Sequence, residues 1–198
     1  MEALNHKART RQRILAEAAV AMREQGTEGI GVAALMKRAG LTHGGFYAHF
    51  ASRDDLVANV IAYIFEQTLE KLRSSLQSDT AEGLSQFIDA YLSMAVRNAP
   101  GESCPLPALS GEAARLSRTA RDNFANGVTQ MQALLAKCLT TLRLPQPDVL
   151  AVSMLSEMIG AMALARACPH EQHAEHILLV SRQSIKHRVG LGENITAG

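Results

Sequence analysis

The 198-residue sequence predicts an all-α chain of about nine helices, on three observations. Apolar residues recur at steps of three and four along the chain, and no stretch sustains the period-two alternation of a half-buried strand. Gly26, Gly40, Pro100-Gly101, Pro145, Pro147 and Pro169 punctuate those periodic stretches. Hydrophobic residues make up 47% and charged residues 20%, the balance of a globular chain with a real core.

Taken in order, residues 7–25 carry Ile14, Leu15, Ala18 and Met22 on one stripe, and the stripe stops at Gly26. A short helix fits 32–39 and ends at Gly40; another fits 43–49. Ser52 with Asp55 three residues on forms a capping box, which opens a long helix. Its stripe runs through Leu56, Val60, Ile64, Leu69, Leu72 and Leu76. That is about 30 Å, enough to bridge two subdomains. After the polar break 77–80, a helix with Leu84, Phe87, Ile88, Tyr91, Leu92, Ala95 and Val96 runs to Pro100. Pro105 and Pro107 exclude an uninterrupted helix over 102–111. Helices then fit 112–142, 148–166 and 171–188, and a polar, glycine-bearing tail comes last.

Several classes of protein drop out. The longest unbroken apolar run is 60–65, against about twenty residues for a spanning helix, and no apolar stretch comes after the start, so neither a membrane segment nor a signal peptide is expected. The cysteines at 104, 138 and 168 are odd in number and form no Cys-x-x-Cys pair, which points away from a disulfide scaffold and toward a reducing cytoplasm. No Gly-x-Ser-x-Gly, Ser-x-x-Lys or phosphate loop is present, so no catalytic residue and no cofactor is expected. Asp54-Asp55 is explained by the start of a helix. His170, His173 and His176 step by three, where a zinc helix needs a step of four; a solvated helix start is the expectation, without metal.

The net charge of +1 hides an asymmetry. Residues 1–53 hold eight Lys/Arg against four Asp/Glu, whereas the rest holds twelve against fifteen. A basic end on an acidic body points to a local polyanion contact. The same end contains a helix, a turn at Gly40 and a second short helix, which is the helix-turn-helix layout. Leu41 is placed to plug the angle between the two, and Thr42 to N-cap the second. That second helix holds Gly44 and Gly45, each costing about 1 kcal/mol in a helix interior. A missing Cβ there lets the backbone approach a DNA strand. Phe46 and Phe50, four apart, are expected in the core.

The run 39–50, Ala-Gly-Leu-Thr-His-Gly-Gly-Phe-Tyr-Ala-His-Phe, together with Ser52-Arg-Asp-Asp-Leu56 after it, resembles the signature of TetR-family (tetracycline-repressor-like) transcriptional regulators. The resemblance covers residues 9–65. It implies a helix-turn-helix DNA-binding domain over 1–53, a helical effector-binding and dimerisation domain over 54–190, and a flexible tail over 191–198. It implies a double-stranded operator bound by a homodimer and released by a small effector. At the DNA it would place Thr42, His43, Gly44, Tyr47, His49 and Arg53. Tyr47 and His49 would hydrogen-bond phosphates, His43 would approach base edges or backbone, and Arg53 would hold a phosphate at a helix start. Gly31 and Met36 depart from the family pattern, which has a capping Ser or Thr and a small alanine there.

In the body, Met131 and Met158 with Phe87, Tyr91 and Phe124 could line an adaptable apolar cavity, or simply pack a core. Cys104, in the proline-interrupted stretch where the resemblance would put the mouth of the effector cavity, is either a small packed residue or a thiol open to electrophiles or oxidants. Leu155, Ile159, Met162, Ile177 and Val180 on the last two helices are the expected dimer face. The alternative from another class is an all-helical ligand- or metal-binding enzyme with an incidental basic N-terminus.

Overall fold

The computed structural model describes residues 2–29, 31–78 and 80–191, with side chains from residue 6 onward. Apart from Leu191, the tail expected over 191–198 lies outside the described residues. Among those residues there is no strand. Nine α-helices succeed one another: α1 (Glu2–Gln25), α2 (Val32–Arg38), α3 (Arg53–Ser75), α4 (Ala81–Tyr91), α5 (Met94–Asn98), α6 (Leu106–Leu109), α7 (Arg118–Thr141), α8 (Pro147–Ala167) and α9 (Glu171–Arg188). Short 3-10 segments lie at Thr27–Gly29, His43–Ala48, Pro100–Glu102 and Ala113–Arg115.

The chain forms two compact units, Met1–Thr68 with Pro100–Gly127, and Leu69–Ala99 with Val128–Gly198. This is not the division expected at residue 53. The connection 100–127 folds back onto α1, a pairing over some eighty residues that a linear reading has no means to see. In the first unit α1 packs on α2, α6 and the 3-10 segments Thr27–Gly29 and Pro100–Glu102. Its predicted stripe, Ile14, Leu15, Ala18 and Met22, is buried.

The capping box at α3 forms with a small displacement. The Asp55 amide donates to Ser52 Oγ at 3.0 Å, while Asp55 Oδ2 accepts from the Ala51 amide at 2.9 Å, one residue earlier than expected. Further along α3, the Phe65 ring meets Phe124 of α7 edge-on, with centroids 5.5 Å apart. Gly127 makes this possible, because a Cβ there would fall on the Phe65 ring itself. Asn123 Nδ2 donates to the Ala58 carbonyl at 2.9 Å and fixes the same pair of helices.

In the second unit α8 packs on α9 and α5, and α9 also on α4. Its core includes Leu84, Ile88, Leu92, Met131, Leu135, Cys138, Met154, Met158 and Leu178. The helix expected from 84 to 99 breaks into α4 and α5, because Ser93 starts a new turn by accepting from the Val96 amide at 3.3 Å. Arg97 then reaches the C-terminal end of α8, donating to the carbonyls of Ala165 (2.8 Å) and Cys168 (2.7 Å). The helix expected from 112 begins instead at Arg118, with Ser117 accepting from the Ala120 amide at 3.4 Å.

By length and composition α8 is apolar enough to cross a membrane, with a mean hydropathy of 1.6 over its best window. A search for unbroken apolar runs misses it because Ser153, Ser156, Glu157 and Gly160 interrupt it. One side of α8 (Ala151, Met154, Leu155, Met158, Ala161, Met162, Ala165) is buried in its own unit. The other side leaves Val149 and Leu164 more than 60% exposed. A helix apolar on both sides calls for a second cover.

Candidate nucleic-acid interface

The turn after α2 closes by a Schellman motif. The Leu41 amide donates to the Met36 carbonyl at 2.8 Å and the Gly40 amide to the Lys37 carbonyl at 3.0 Å. Gly40 sits at φ +66°, the left-handed value that this motif needs and that glycine adopts freely. At the other end of α2, Gly31 offers no side-chain cap.

The turn leads into a 3-10 helix, His43–Ala48, rather than the expected α-helix. Gly45 N–H bonds the Thr42 carbonyl at 3.1 Å, and the Thr42 side chain caps nothing, so the N-cap expected of it does not form. Two adjacent glycines weaken the α-helix here, and the tighter turn still brings Phe46 and Phe50 inward. Both are buried, with ring centroids 5.7 Å apart. Met36 is buried too and stands beside Gly45.

Thr42, His43, Gly44 and Tyr47 are exposed together on this segment. Tyr47 packs its ring edge-on against Phe46 at 5.2 Å, yet remains 69% exposed. Neither glycine has positive φ, and among the described residues beyond its chain neighbours nothing lies within 4 Å of where a Cβ at Gly44 would stand. A Cβ at Gly45 would make only ordinary contacts with Met36 and Thr42. The fold itself therefore has no need of glycine at position 44.

His49 is half-buried, with Nδ1 shielded and without a hydrogen-bond partner. Burial, then Lys7 and Arg11, push its pKa below the usual histidine value and favour the neutral ring. Arg11 itself lies 5.0 Å over the Phe50 ring and donates to Asn59 Oδ1 at 2.6 Å. Arg53 is turned inward to a different partner from the phosphate expected of it. It donates to the Thr27 carbonyl at 2.6 Å and meets Glu28 Oε1 at 3.3 Å. Lys7, Arg9 and Arg13, which the sequence marks only through its charge count, are exposed on α1.

The six residues expected around an effector do not gather within either unit. Cys104 and Phe124 belong to the first, and Phe87, Tyr91, Met131 and Met158 to the second. Met131 and Met158 are core, at 2% and 0% exposure. A cavity of about 630 Å³ in the first unit includes Phe124 alone of the six, with Arg118, Arg121 and Asp122 on its wall. A second, of about 290 Å³, is polar and lined by Thr27, Glu28, Arg53, Asp54, Glu112, Arg115 and Ser117 among others. Cys104 is half-buried in a turn that α1 holds. Arg23, itself buried, donates to the Gly101 carbonyl at 3.3 Å and to Gln67 Oε1 at 3.1 Å. Burial lowers the Arg23 pKa, partly offset by its electrostatic interactions with Cys104 and Tyr63. Among the described residues no group of three side chains could hold a metal, and the three stepped histidines are exposed.

The expected dimer face also needs correction. Leu155 and Met162 lie on the side of α8 that packs its own unit, at 1% and 0% exposure, because the chosen stripe straddles the edge of that buried side. Ile159 and Ile177 are half-buried and Val180 is exposed, so these three stay available, joined by Val149, Val152 and Leu164.

Residues 14–60 match the family described as bacterial regulatory proteins, tetR family. No curated protein matches the chain significantly. Among solved structures, the reduced form of E. coli NemR is similar at a TM-score of 0.79 and 21% identity, covering 90% of this chain and 95% of that one. A TetR transcriptional regulator from Chloroflexus aurantiacus J-10-FL gives 0.79 and 21%, covering 95% and 98%. One from Legionella pneumophila gives 0.76 and 21%, covering 88% and 94%. These likenesses extend the shared fold over nearly the whole chain, and residues 14–60 are a DNA-binding segment of the kind found in the tetR family of bacterial regulatory proteins.

Proposed function

We propose that the chain is a homodimeric, cytoplasmic transcriptional repressor that binds a palindromic operator through the segment His43–Ala48 of each subunit and is released by a small effector. One observation carries the DNA half of this reading: the exposed segment around Gly44 and Tyr47 is built from residues the fold does not require. A large aromatic left in water beside a backbone with no side chain suits a groove and its phosphates. Tyr47 and His49 serve as phosphate donors. His43 faces base edges, with Thr42 and Gly44 at the closest backbone approach. Arg53 adds a phosphate contact through those N–H groups that Thr27 and Glu28 do not occupy.

The test uses a duplex carrying the sequence upstream of the protein's own gene. Tyr47→Phe is expected to weaken binding about tenfold, equally on preferred and unrelated duplexes, because a phosphate anchor reads no sequence. Arg53→Ala is expected to act in the same way. Unchanged binding by both variants at moderate salt rules out this docking.

Dimerisation is supported by the second apolar face of α8, continued on α9 by Val180. Two recognition segments about 34–36 Å apart would then address successive major grooves. Leu164→Glu is expected to yield monomers in sedimentation where the wild type is a dimer at micromolar concentration, without loss of helix content. A wild-type monomer ends the reading. Release occurs if the effector favours a conformation with the heads wrongly spaced.

A further inference from the structure

The connection between α1 and α2 is held from both sides by residues far away in sequence. α1 ends at Gly26, whose φ of +73° turns the chain, and whose missing Cβ leaves the space that the Glu112 carboxylate fills. From there Glu112 Oε2 accepts two hydrogen bonds from one residue, the Thr27 amide at 2.8 Å and Thr27 Oγ1 at 2.6 Å. On the opposite side of the same residue, the Thr27 carbonyl accepts from Arg53 Nη2 at 2.6 Å. Thr27 is 6% exposed. Two residues after this 3-10 turn comes Gly31, the uncapped N-cap of α2. The entry to the helix-turn-helix has no cap of its own, and among the described residues Thr27 is the last buried side chain before α2.

Glu112 stands in the stretch Pro100–Gly127, which also packs on α1 and ties to it through the Gly101 carbonyl on Arg23. It also lines the polar cavity of about 290 Å³ beside Arg53, Arg115 and Ser117. The bond is thus open to competition from water or a polar solute on one side. It joins the long-range connection of the first unit to the start of the DNA-reading motif.

We propose that Glu112 is a positioning residue for DNA binding: by gripping Thr27 it sets the angle at which α2 and the 3-10 helix leave α1, and movement of the stretch 100–127 reaches the DNA-reading segment through this carboxylate. The inference rests on the DNA-binding reading. A carboxylate accepting two partly buried hydrogen bonds is a stronger hold than a neutral pair, and it has a direction that a packed methyl group lacks. Glu112 touches no DNA in this arrangement. Its removal changes geometry and leaves the number of phosphate contacts intact.

The experiment compares Glu112→Ala, Glu112→Gln, Thr27→Val and the double variant Glu112→Ala/Thr27→Val, on the duplex from upstream of the protein's own gene. Glu112→Ala is expected to lose about tenfold in affinity, ~1.4 kcal/mol, with the salt dependence of binding unchanged. The double variant is expected to bind no worse than Glu112→Ala alone, since both remove one interaction. Wild-type affinity in Glu112→Ala, or independent addition of the two losses, overturns the proposal. A structural role alone would lower thermal stability in step with affinity. Here Glu112→Gln, which keeps shape and an acceptor, is expected to melt within about 2 °C of wild type and still bind several-fold more weakly. Amide exchange read without DNA separates this inference from the function it rests on. The Thr27 amide and the first turn of α2 are expected to exchange about tenfold faster in Glu112→Gln, whatever the duplex shows. Unchanged exchange there refutes the grip itself, whereas faster exchange in a protein that binds no DNA refutes the DNA-binding reading.

Discussion

Gly44→Leu is expected to fold and melt as the wild type does and to bind the operator about a hundredfold more weakly, a loss of ~2.8 kcal/mol. The two halves of that result come from one geometry. Beyond the chain neighbours no described residue comes within 4 Å of a Cβ at this position, and its φ is not in the left-handed region, so the fold accepts a side chain there without strain. If anything, a non-glycine residue stabilises slightly by restricting the unfolded chain. In the proposed docking a bound duplex does not accept it, because there the segment approaches the phosphates by its backbone and the isobutyl group would hold it away. Gly44→Ala is expected to fall between the two. Binding that survives Gly44→Leu, measured by anisotropy alongside a melting curve, removes the proposed docking geometry.

Gly127→Ala is the converse case, a glycine that the fold does require. In an exposed helix this exchange would stabilise by about 1 kcal/mol. In α7 the added methyl falls on the Phe65 ring, not on a flexible chain end, and Phe65 is 3% exposed with Phe124 already against it. The ring has nowhere to retreat without moving α3 and α7 apart. The expected net effect is a destabilisation of about 1–3 kcal/mol, a fall in Tm of roughly 3–10 °C. The companion variant Gly127→Ala/Phe65→Leu is expected to recover part of the loss, since the smaller chain leaves room. A Gly127→Ala protein that melts at or above the wild-type temperature contradicts this packing.

The local features of the head were legible because each is written in adjacent residues. Gly40 had to turn the chain, Phe46 and Phe50 had to go inward, and Ser52 with Asp55 had to open a helix, and all do. The backbone of the recognition segment was less legible: Gly44 and Gly45 marked it as unusual, but nothing in its composition chose a 3-10 over an α-helix. The face of α8 was misjudged because a helix apolar nearly all round has no strong stripe to read. Buried Leu155 and exposed Leu164 are alike in sequence and differ only in what packs beside them. Glu112 and Arg23 left no trace at all. Their partners Thr27 and Gly101 are 85 and 78 residues away, and such pairings appear only when the chain has folded back on itself.

That folding back has a consequence for how the protein is made. The first unit is discontinuous, and its N-terminal piece ends at Thr68 while the rest arrives only with Gly127. At ribosomal speeds of about 5–20 residues per second, roughly 3–12 seconds separate the two. Over that interval the nascent helix-turn-helix waits in turn for Gly101 to meet the Arg23 guanidinium, for Glu112 to meet Thr27, and for Phe124 to meet the Phe65 ring. An excised fragment ending near residue 68 would remain in that condition permanently. The signature segment alone is therefore a poor unit for transplantation into chimaeric regulators, and a functional graft has to carry the later segment with it.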